Sequence, residues 1–339
     1  MLTHADYPVQ VVEDIARLRR RISASGIPSK RSDENLVIGS WNIRALGRFH
    51  PEFTENDDSP KRNLRALASI AEILRRFDVV AIQEIKRDTV AVRALVDEFL
   101  GPDWGLILTD VSAGSAGNTE RLGFVFDRRR VKLSGLAGEI VLPETDAGDP
   151  AEQFDRTPYI VGFDAGHMRF SLVTTHIKFG DIPANRIPEL EKLAKVVAKD
   201  LRDRARQNDR EIGSVIVLGD FNIDRRGNNP LFQAFVSTGL VVPAQLHGLK
   251  TTAGNEPKFY DQIAWFMGDD MKLTFNNAAG VIDFVGALFP ELSTNAMTHR
   301  VSDHFPLWAE FLIDRSAQEM AETLGVDPDA PDPLGIVPD

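Results

Sequence analysis

The chain of 339 residues contains no cysteine. This absence excludes disulfides, thiolate zinc sites and a cysteine nucleophile, so any bound metal must have oxygen or imidazole ligands. The sequence also lacks the roughly 20 consecutive apolar residues that a membrane-spanning helix needs. Its first eight residues have no basic cap followed by an apolar stretch, which a secretion signal would show. A cytoplasmic location is therefore the expectation.

Positive charge is also scarce, and the formal net charge is −11. The charge is unevenly distributed, because the chain from Ser316 onward has six acidic residues and no lysine or arginine. Together with four prolines, this composition predicts an irregular, disordered acidic tail over residues 316–339. The tail carries six of the eleven net negative charges. A basic surface around a site elsewhere in the chain is therefore still compatible with the overall charge.

Apolar residues recur at helical and strand spacing along the chain, and 43% of the residues are hydrophobic. Val11 to Ile22 is expected to form an amphipathic helix within an N-terminal helical extension, residues 1–35. A single domain is expected over residues 36–315, since no internal linker or repeat is visible. Its helices are predicted at 62–76, 89–100 and 188–206, and its strands at 36–43, 79–83, 105–109, 121–126, 159–163, 168–176, 215–218, 260–266 and 307–312. This interleaving predicts an α/β architecture with sheets covered by helices.

Polar residues follow the predicted strands at the point where each strand ends. The clearest case is an apolar run, 214–218, that leads into Gly219, Asp220 and Asn222. Equivalent positions are occupied by Asn42, Glu84, His176, Asp261, Asp303 and His304. Ligand sites in α/β folds tend to form at strand ends. Oxygen ligands for a hard metal beside titratable imidazoles are suited to phosphate-ester hydrolysis.

Each motif alone is weak evidence. An Asp-x-Asn sequence after a strand is most often a turn or a helix cap, and on its own it has roughly a 10% chance of being catalytic. A lone histidine such as His176 is more often structural. Glu84 is more informative, because a carboxylate that follows four apolar residues lies near the core edge, which is costly without a cation.

The ordered set of motifs resembles the endonuclease/exonuclease/phosphatase superfamily, and within it the deoxyribonuclease I branch. The motifs are Trp41-Asn42-Ile43, Gln83-Glu84, Thr175-His176, Gly219-Asp220-Phe221-Asn222, Tyr260-Asp261 and Ser302-Asp303-His304. Three further matches to that branch are Asn118-Thr119-Glu120-Arg121, Phe154-Asp155-Arg156-Thr157-Pro158 and Asp283-Phe284. The resemblance covers residues 36 to 313. It implies a four-layer sandwich, in which two central mixed β-sheets are flanked by helices.

The resemblance also implies a metal site. Glu84 would bind the ion directly, and Asn42 and Asp303 would complete or orient its ligand shell. Carboxylate and amide oxygens favour Mg²⁺ or Mn²⁺ over zinc.

The acid–base roles are likewise carried over by matching position. His304, paired with Asp261, would deprotonate the attacking water, and His176, paired with Glu120, would protonate the leaving oxygen. A carboxylate partner fixes the tautomer of an imidazole and raises its pKa. Two further roles complete the site, since Asp220 would orient the water and Asn222 would hold a phosphate oxygen.

Basic residues lie next to most of these motifs and would attract a polyanion. They are Arg44, Lys86, Arg87, Arg121, Lys178, Arg225, Arg226 and Arg300. Arg156, Lys86, Arg44 and Lys178 are the predicted substrate contacts. Gln262 departs from the arginine that the deoxyribonuclease branch often has beside its aspartate. Trp41 and Phe221 are interpreted as core residues rather than stacking platforms.

The leading hypothesis is a Mg²⁺-dependent endonuclease with DNA as its partner and substrate. The abasic-site repair branch is disfavoured, because residues 249–260 contain no tryptophan pair. Two alternatives stay open. One is a phosphatase or phosphodiesterase acting on a small phosphate ester or a phospholipid head group. The other is a non-catalytic member that serves as a binding module.

Overall fold

The computed structural model describes residues 2–54, 59–111, 119–142, 144, 152–180, 182–206, 212–268, 273–314, 316–328, 330 and 334–335. Asn118 of one predicted motif lies outside these residues. The strands are β1 (Asn35–Leu46), β2 (Val79–Lys86), β3 (Trp104–Leu108), β4 (Glu120–Asp127), β5 (Lys132–Glu139), β6 (Tyr159–Ala165), β7 (Met168–His176), β8 (Ser214–Asp220), β9 (Leu240–Val241), β10 (Asp261–Phe266), β11 (Thr274–Val281) and β12 (Leu307–Leu312).

The helices lie mainly on the outer faces of the sheets. They are α1 (Val9–Ala24), α2 (Leu64–Leu74), α3 (Val90–Ala94), α4 (Ile187–Val196), α5 (Asp203–Arg206), α6 (Pro230–Val236), α7 (Thr294–Thr298) and α8 (Ser316–Leu324). Two π-helical segments, Leu95–Leu100 and Val197–Arg202, continue α3 and α4. The predicted helices at 62–76, 89–100 and 188–206 are therefore confirmed, although the last two change winding part-way along. None of the helices in the described part of the chain is both long and apolar enough to cross a membrane.

The strands form two six-stranded mixed sheets with matching layouts. The strand order is β11-β12-β1-β2-β4-β3 in the first sheet and β5-β6-β7-β8-β10-β9 in the second. Each sheet contains one central parallel pair, β1 with β2 and β7 with β8, and its other pairs are antiparallel. Because parallel strands end at the same edge, the central pairs bring their carboxyl ends together.

Alternating side chains on the central strands fill two separate cores. Leu36 and Ile38 of β1 lie in the core between the two sheets, whereas Val37 and Trp41 face the second core, under α1 and α2. Since both faces of the central strands are covered, these strands are apolar almost without interruption. The predicted four-layer sandwich is confirmed. Trp41 and Phe221 are fully buried, as expected of core residues.

The N-terminal helix is part of the core of the fold. Val11, Ile15, Leu18 and Ile22, which define its apolar face in the sequence, are at most 4% exposed. Buried Asp14 of the same helix receives a 2.8 Å hydrogen bond from Nε of Arg65 on α2. Apolar packing and this ion pair together attach α1 to the outer face of the first sheet.

Three of the strands were not predicted from the sequence, and the first part of the tail differs from its prediction. The missed strands β5, β9 and β11 lie at sheet edges, where one side is solvated and a long apolar run is not needed. Residues 316–324 were predicted to be irregular, which is wrong, because they form α8 and Ala321 is fully buried.

Replacing Leu18 tests the role of α1. Leu18→Ala should lower the free energy of unfolding by about 2–5 kcal/mol, because the side chain is fully buried and its removal leaves a cavity. Val12→Ala is the matched control on the same helix, since Val12 is 44% exposed. Urea unfolding would measure both. Equal, small losses in the two variants would show that α1 contributes little to the fold.

Candidate active site

Strand register in the second sheet places three of the predicted residues side by side. His176 of β7 is paired with Asp220 of β8, and Asp220 is paired with Asp261 of β10. The approach of β7 and β8 requires Gly219, because a Cβ atom there would lie 2.2 Å from the backbone oxygen of Thr175. Register and close approach therefore place the candidate catalytic groups His176, Asp220 and Asp261 in one row across three strands.

In the first sheet, two irregular strand positions aim Asn42 and Glu84 at this row. The register of β2 shifts against both of its neighbours near Glu84, and Glu84 has a left-handed backbone with φ of 62°. Such bulges re-aim side chains and are frequent next to active sites. Nδ2 of Asn42 donates to both Glu84 Oε1 at 3.1 Å and Asp220 Oδ2 at 2.9 Å. Asn42 thereby links the two sheets across the site.

His304 precedes β12 and is fixed through its backbone and the adjacent Ser302. The Ser302 hydroxyl donates to the backbone oxygen of Asn42 at 2.6 Å and accepts from the backbone N–H of His304 at 3.0 Å. The indole of Trp41 donates to the backbone oxygen of His304 at 2.8 Å. Ser302 and Trp41 thus hold the backbone of His304 in place, a role that the sequence alone did not assign to them.

Two histidine–carboxylate pairs face one central carboxylate. Nδ1 of His176 lies 3.1 Å from Glu120 Oε2, and Nδ1 of His304 lies 2.8 Å from Asp261 Oδ2. The Nε2 atoms of the two rings lie 3.5 Å and 3.8 Å from Asp220 Oδ2. Each carboxylate partner holds its ring with Nε2 directed inward, which is the arrangement required for proton transfer at a shared substrate atom.

Buried charge controls the protonation of this row. Burial alone would lower the pKa of His304, but the charges of Asp261 and Asp220 outweigh burial and raise the pKa to about 10. Burial raises the pKa of Asp261. Burial would also raise the pKa of Asp220, yet the two imidazoles and hydrogen bonds lower it below its usual range. Without a further cation, His304 therefore retains its proton and Asp220 remains ionised.

Glu120 is surrounded by positive groups. It accepts from Lys86 at 2.8 Å and from Nε of Arg156 at 2.9 Å, in addition to its contact with His176. Burial would raise the pKa of Glu120, but these partners lower it to about 2. The charge of Glu120 is therefore compensated by direct contacts with Lys86, Arg156 and His176.

Glu84 has a different environment, which fits a metal ion. It accepts from Asn42 and from the backbone N–H of Ala45 at 3.0 Å, and no described residue forms an ion pair with it. Oδ1 of Asn42 is buried and has no hydrogen-bond partner among the described residues. A carboxylate with no ion-pair partner among the described residues, next to an unpartnered amide oxygen, provides ligands suited to a hard divalent ion. Glu84 also lies in a group with Glu120 and His176 whose possible ligand atoms are within 4.8 Å of one another.

The remaining predicted residues lie around this centre. Asp303 is 3.5 Å from Arg44. Among the described residues, it belongs neither to the Glu84 group of possible metal ligands nor to the second group, which consists of Asp220, Asp261 and His304. Asn222, with φ of 50°, donates from Nδ2 to the Ile177 oxygen at 2.7 Å, so one amide proton is used and the second is available for a substrate. Lys178 is about one-third exposed at 4.0 Å from Asp155.

Not all of the basic residues beside the motifs face solvent. Arg300 is 4% exposed and donates to the backbone oxygen of Ala296, and Arg226 donates to the oxygens of Leu249 and Asp261 and to Gln262. That these two arginines help to draw in a polyanion stays a prediction. Both guanidinium groups donate hydrogen bonds to backbone carbonyl oxygens. A position next to a motif in the sequence does not indicate this role.

Sequence reasoning missed Arg186, which supports the Asn222 loop. This arginine is 2% exposed, and its Nη1 donates to the Asn222 oxygen at 2.6 Å and to Asp224 Oδ2 at 3.1 Å. Arg186 lies just before α4, far from any motif in the sequence, so no local signal indicates it.

A family model described as Endonuclease/Exonuclease/phosphatase family matches residues 39–310. The chain belongs to this family. The match confirms the resemblance drawn from the motifs and includes both sheets together with both histidine–carboxylate pairs. The family name covers nucleases and phosphatases, all of which hydrolyse phosphate esters.

Relatives with established names include deoxyribonucleases. This chain is 26% identical over 308 residues to a deoxyribonuclease of Thioalkalivibrio sp. (strain K90mix), and the match covers 85% of this chain and 75% of that protein. It is 25% identical over 295 residues to deoxyribonuclease-1 of Bos taurus, covering 80% and 91%.

Solved structures share the fold at lower identity. D. rerio TDP2 complexed with a single-strand DNA product matches with a TM-score of 0.51 and 18% identity, covering 82% of this chain and 98% of that chain. A mannosyl-6-phosphatase from Bacteroides thetaiotaomicron VPI-5482 matches with a TM-score of 0.51 and 16% identity, covering 81% and 99%.

The low pKa of Glu120 predicts how stability depends on pH. The folded-state pKa of about 2 lies below the unfolded value of roughly 4.3, so the carboxylate stabilises the fold above pH ~4.3 and loses this effect as the pH falls towards 2. The difference in free energy of unfolding between wild type and Glu120→Gln should therefore shrink by about 3 kcal/mol over that window. Chemical denaturation at several pH values measures it, and a difference that stays constant with pH would contradict the charge compensation.

Proposed function

We propose that this chain is a metal-dependent phosphodiesterase that hydrolyses DNA. The observation that carries the proposal is the placement of Asp220 between two buried histidine–carboxylate pairs, beside a carboxylate that lacks a cation. A phosphodiester needs one group to take a proton from water and another to give a proton to the leaving oxygen. Two imidazoles directed at one point supply both functions.

The geometry supports the following mechanism. His304, held by Asp261, accepts a proton from the water whose oxygen attacks phosphorus, and Asp220 orients that water. As the bond from phosphorus to the leaving oxygen breaks, His176, held by Glu120, donates a proton to that oxygen. Asn222 donates its free amide proton to a non-bridging phosphate oxygen, where negative charge builds up.

Glu84 and Asn42 would hold the divalent ion, for which Mg²⁺ or Mn²⁺ are the best fit, and the exposed carboxylate of Asp303 is the proposed outer partner. When bound, the ion supplies positive charge that stabilises the developing phosphate charge and lowers the pKa of nearby groups, including His304. This effect matters because His304 must be unprotonated before it can act as a base.

DNA is the proposed substrate for two reasons. The sequence relatives carry the name deoxyribonuclease. In addition, Arg44 and Lys178 are each about one-third exposed beside the site, where they can contact phosphates of a strand. Lys86 and Arg156, which donate hydrogen bonds to Glu120, are proposed to contact the scissile phosphate as well.

Substrate comparison tests this function. With Mg²⁺, the purified chain should cut plasmid DNA, and excess chelator should abolish cutting because Glu84 and Asn42 then have no ion. Parallel assays would contain RNA, inositol phosphates, sugar phosphates and phospholipid head groups. If plasmid stays intact while a small ester is consumed, the nuclease proposal fails and the phosphatase alternative replaces it.

Single substitutions test the assigned roles. His176→Ala, His304→Ala and Glu84→Ala should each lower the turnover of DNA at least ~100-fold, the usual scale for loss of an acid–base group. His167→Ala is the control, because His167 is exposed in the turn between β6 and β7. Circular dichroism would verify folding of each variant. A rate like that of wild type in His304→Ala would remove the proposed base, and full activity in all three variants would favour the non-catalytic alternative.

A further inference from the structure

Phe179 is an exposed aromatic residue at the edge of the proposed site. It follows the end of β7 by three residues, and its side chain is 61% exposed. Single exposed apolar residues are common on protein surfaces and need no explanation by themselves. The surroundings of this ring provide the further evidence.

The inner side of the ring is held by a buried arginine. The Arg186 guanidinium lies 4.7 Å from the centroid of Phe179, a cation–π contact. Arg186 also donates to the Gly180 oxygen at 2.8 Å and to the Asn222 oxygen. The exposed ring is therefore anchored to the same loop that carries a proposed phosphate-binding residue, and its outer part remains open to solvent.

A line of rings joins Phe179 to the catalytic row. Phe179 packs against Tyr260 at a centroid distance of 6.4 Å with an interplanar angle of 72°. Tyr260 in turn lies 6.0 Å from the His304 ring. Aromatic surface thus runs from His304 outward to Phe179, only two ring contacts from the proposed base.

Positive groups border this aromatic surface. Lys178 directly precedes Phe179 and is about one-third exposed. Lys258, also about one-third exposed, lies 3.0 Å from Asp224, the carboxylate that binds Arg186. Aromatic rings beside cations are the features with which proteins bind single-stranded nucleic acid, because bases stack on the rings and phosphates contact the charges.

Building on the nuclease function proposed above, we propose that Phe179 is a stacking platform for the nucleobase next to the scissile phosphate. A base can reach this ring only when it leaves its own stack. The favoured substrate is therefore a single strand or a frayed end, in preference to an intact duplex.

The test compares two single strands of equal length, twelve thymidine nucleotides and an abasic backbone without bases. Phe179→Ala should lower kcat/KM on the thymidine strand about tenfold, within the range expected for one lost base stack, and should leave the abasic strand unaffected. Phe179→Trp should restore the wild-type value. Ile182→Ala is the matched control, since Ile182 is 60% exposed in the same segment. Salt concentration is kept constant throughout.

Binding of the same two strands, measured by fluorescence anisotropy with chelator present, separates this inference from the proposed function. If wild type cuts neither these strands nor plasmid DNA but Phe179→Ala still weakens thymidine binding about tenfold, the nuclease proposal fails and the platform is retained. Equal losses on both strands would show a structural role for Phe179 and overturn the platform. No loss on either strand, or no binding of either strand by wild type, would overturn it as well.

Discussion

The site depends on one electrostatic constraint, the burial of the Asp220 carboxylate between two imidazoles. A buried carboxylate is costly unless charge and hydrogen bonds compensate it. Here the compensation comes from His176, His304 and the amide of Asn42. Each histidine is in turn paired with a second carboxylate, His304 with Asp261 and His176 with Glu120. Burial of Asp220 therefore depends on a network of charged groups that extends to both of these carboxylates.

The two sheets satisfy this constraint because each has a central parallel pair of strands whose carboxyl ends lie at the same edge. The second sheet contributes a row of three residues in register. The first contributes Asn42 and Glu84, where the strand pairing is irregular. Left-handed backbone at Glu84 and Asn222 stores strain that the buried strands hold in place. Rigidity of the sheets and irregularity at their ends are thus both needed for the same geometry.

Positive charge in this acidic protein is used mainly inside the fold. Lys86 and Arg156 bind Glu120, and Arg186, Arg226 and Arg300 bind backbone oxygens. Arg44, Lys86 and Lys178 nevertheless remain partly exposed beside the motifs, and Arg87 and Arg225 are exposed. The exposed ring of Phe179 is proposed to add a contact to a base to the contacts that these cations can make with phosphates.

The sequence by itself was enough to predict the buried central strands, the apolar face of α1 and the polar residues at strand ends, because these are local properties of the chain. The four-layer class was implied by the resemblance of the ordered motifs to a known family. The edge strands β5, β9 and β11 were not predicted, since a strand with one side in solvent needs no continuous apolar run. Only the tertiary structure decided that Glu120 has direct ion pairs while Glu84 has none among the described residues, that Arg300 is buried and the donors of Arg226 are used by backbone oxygens, and that Arg186 anchors Phe179. Each of these facts depends on contacts between distant segments, and charge compensation is set by which groups meet in space, not by their order in the chain.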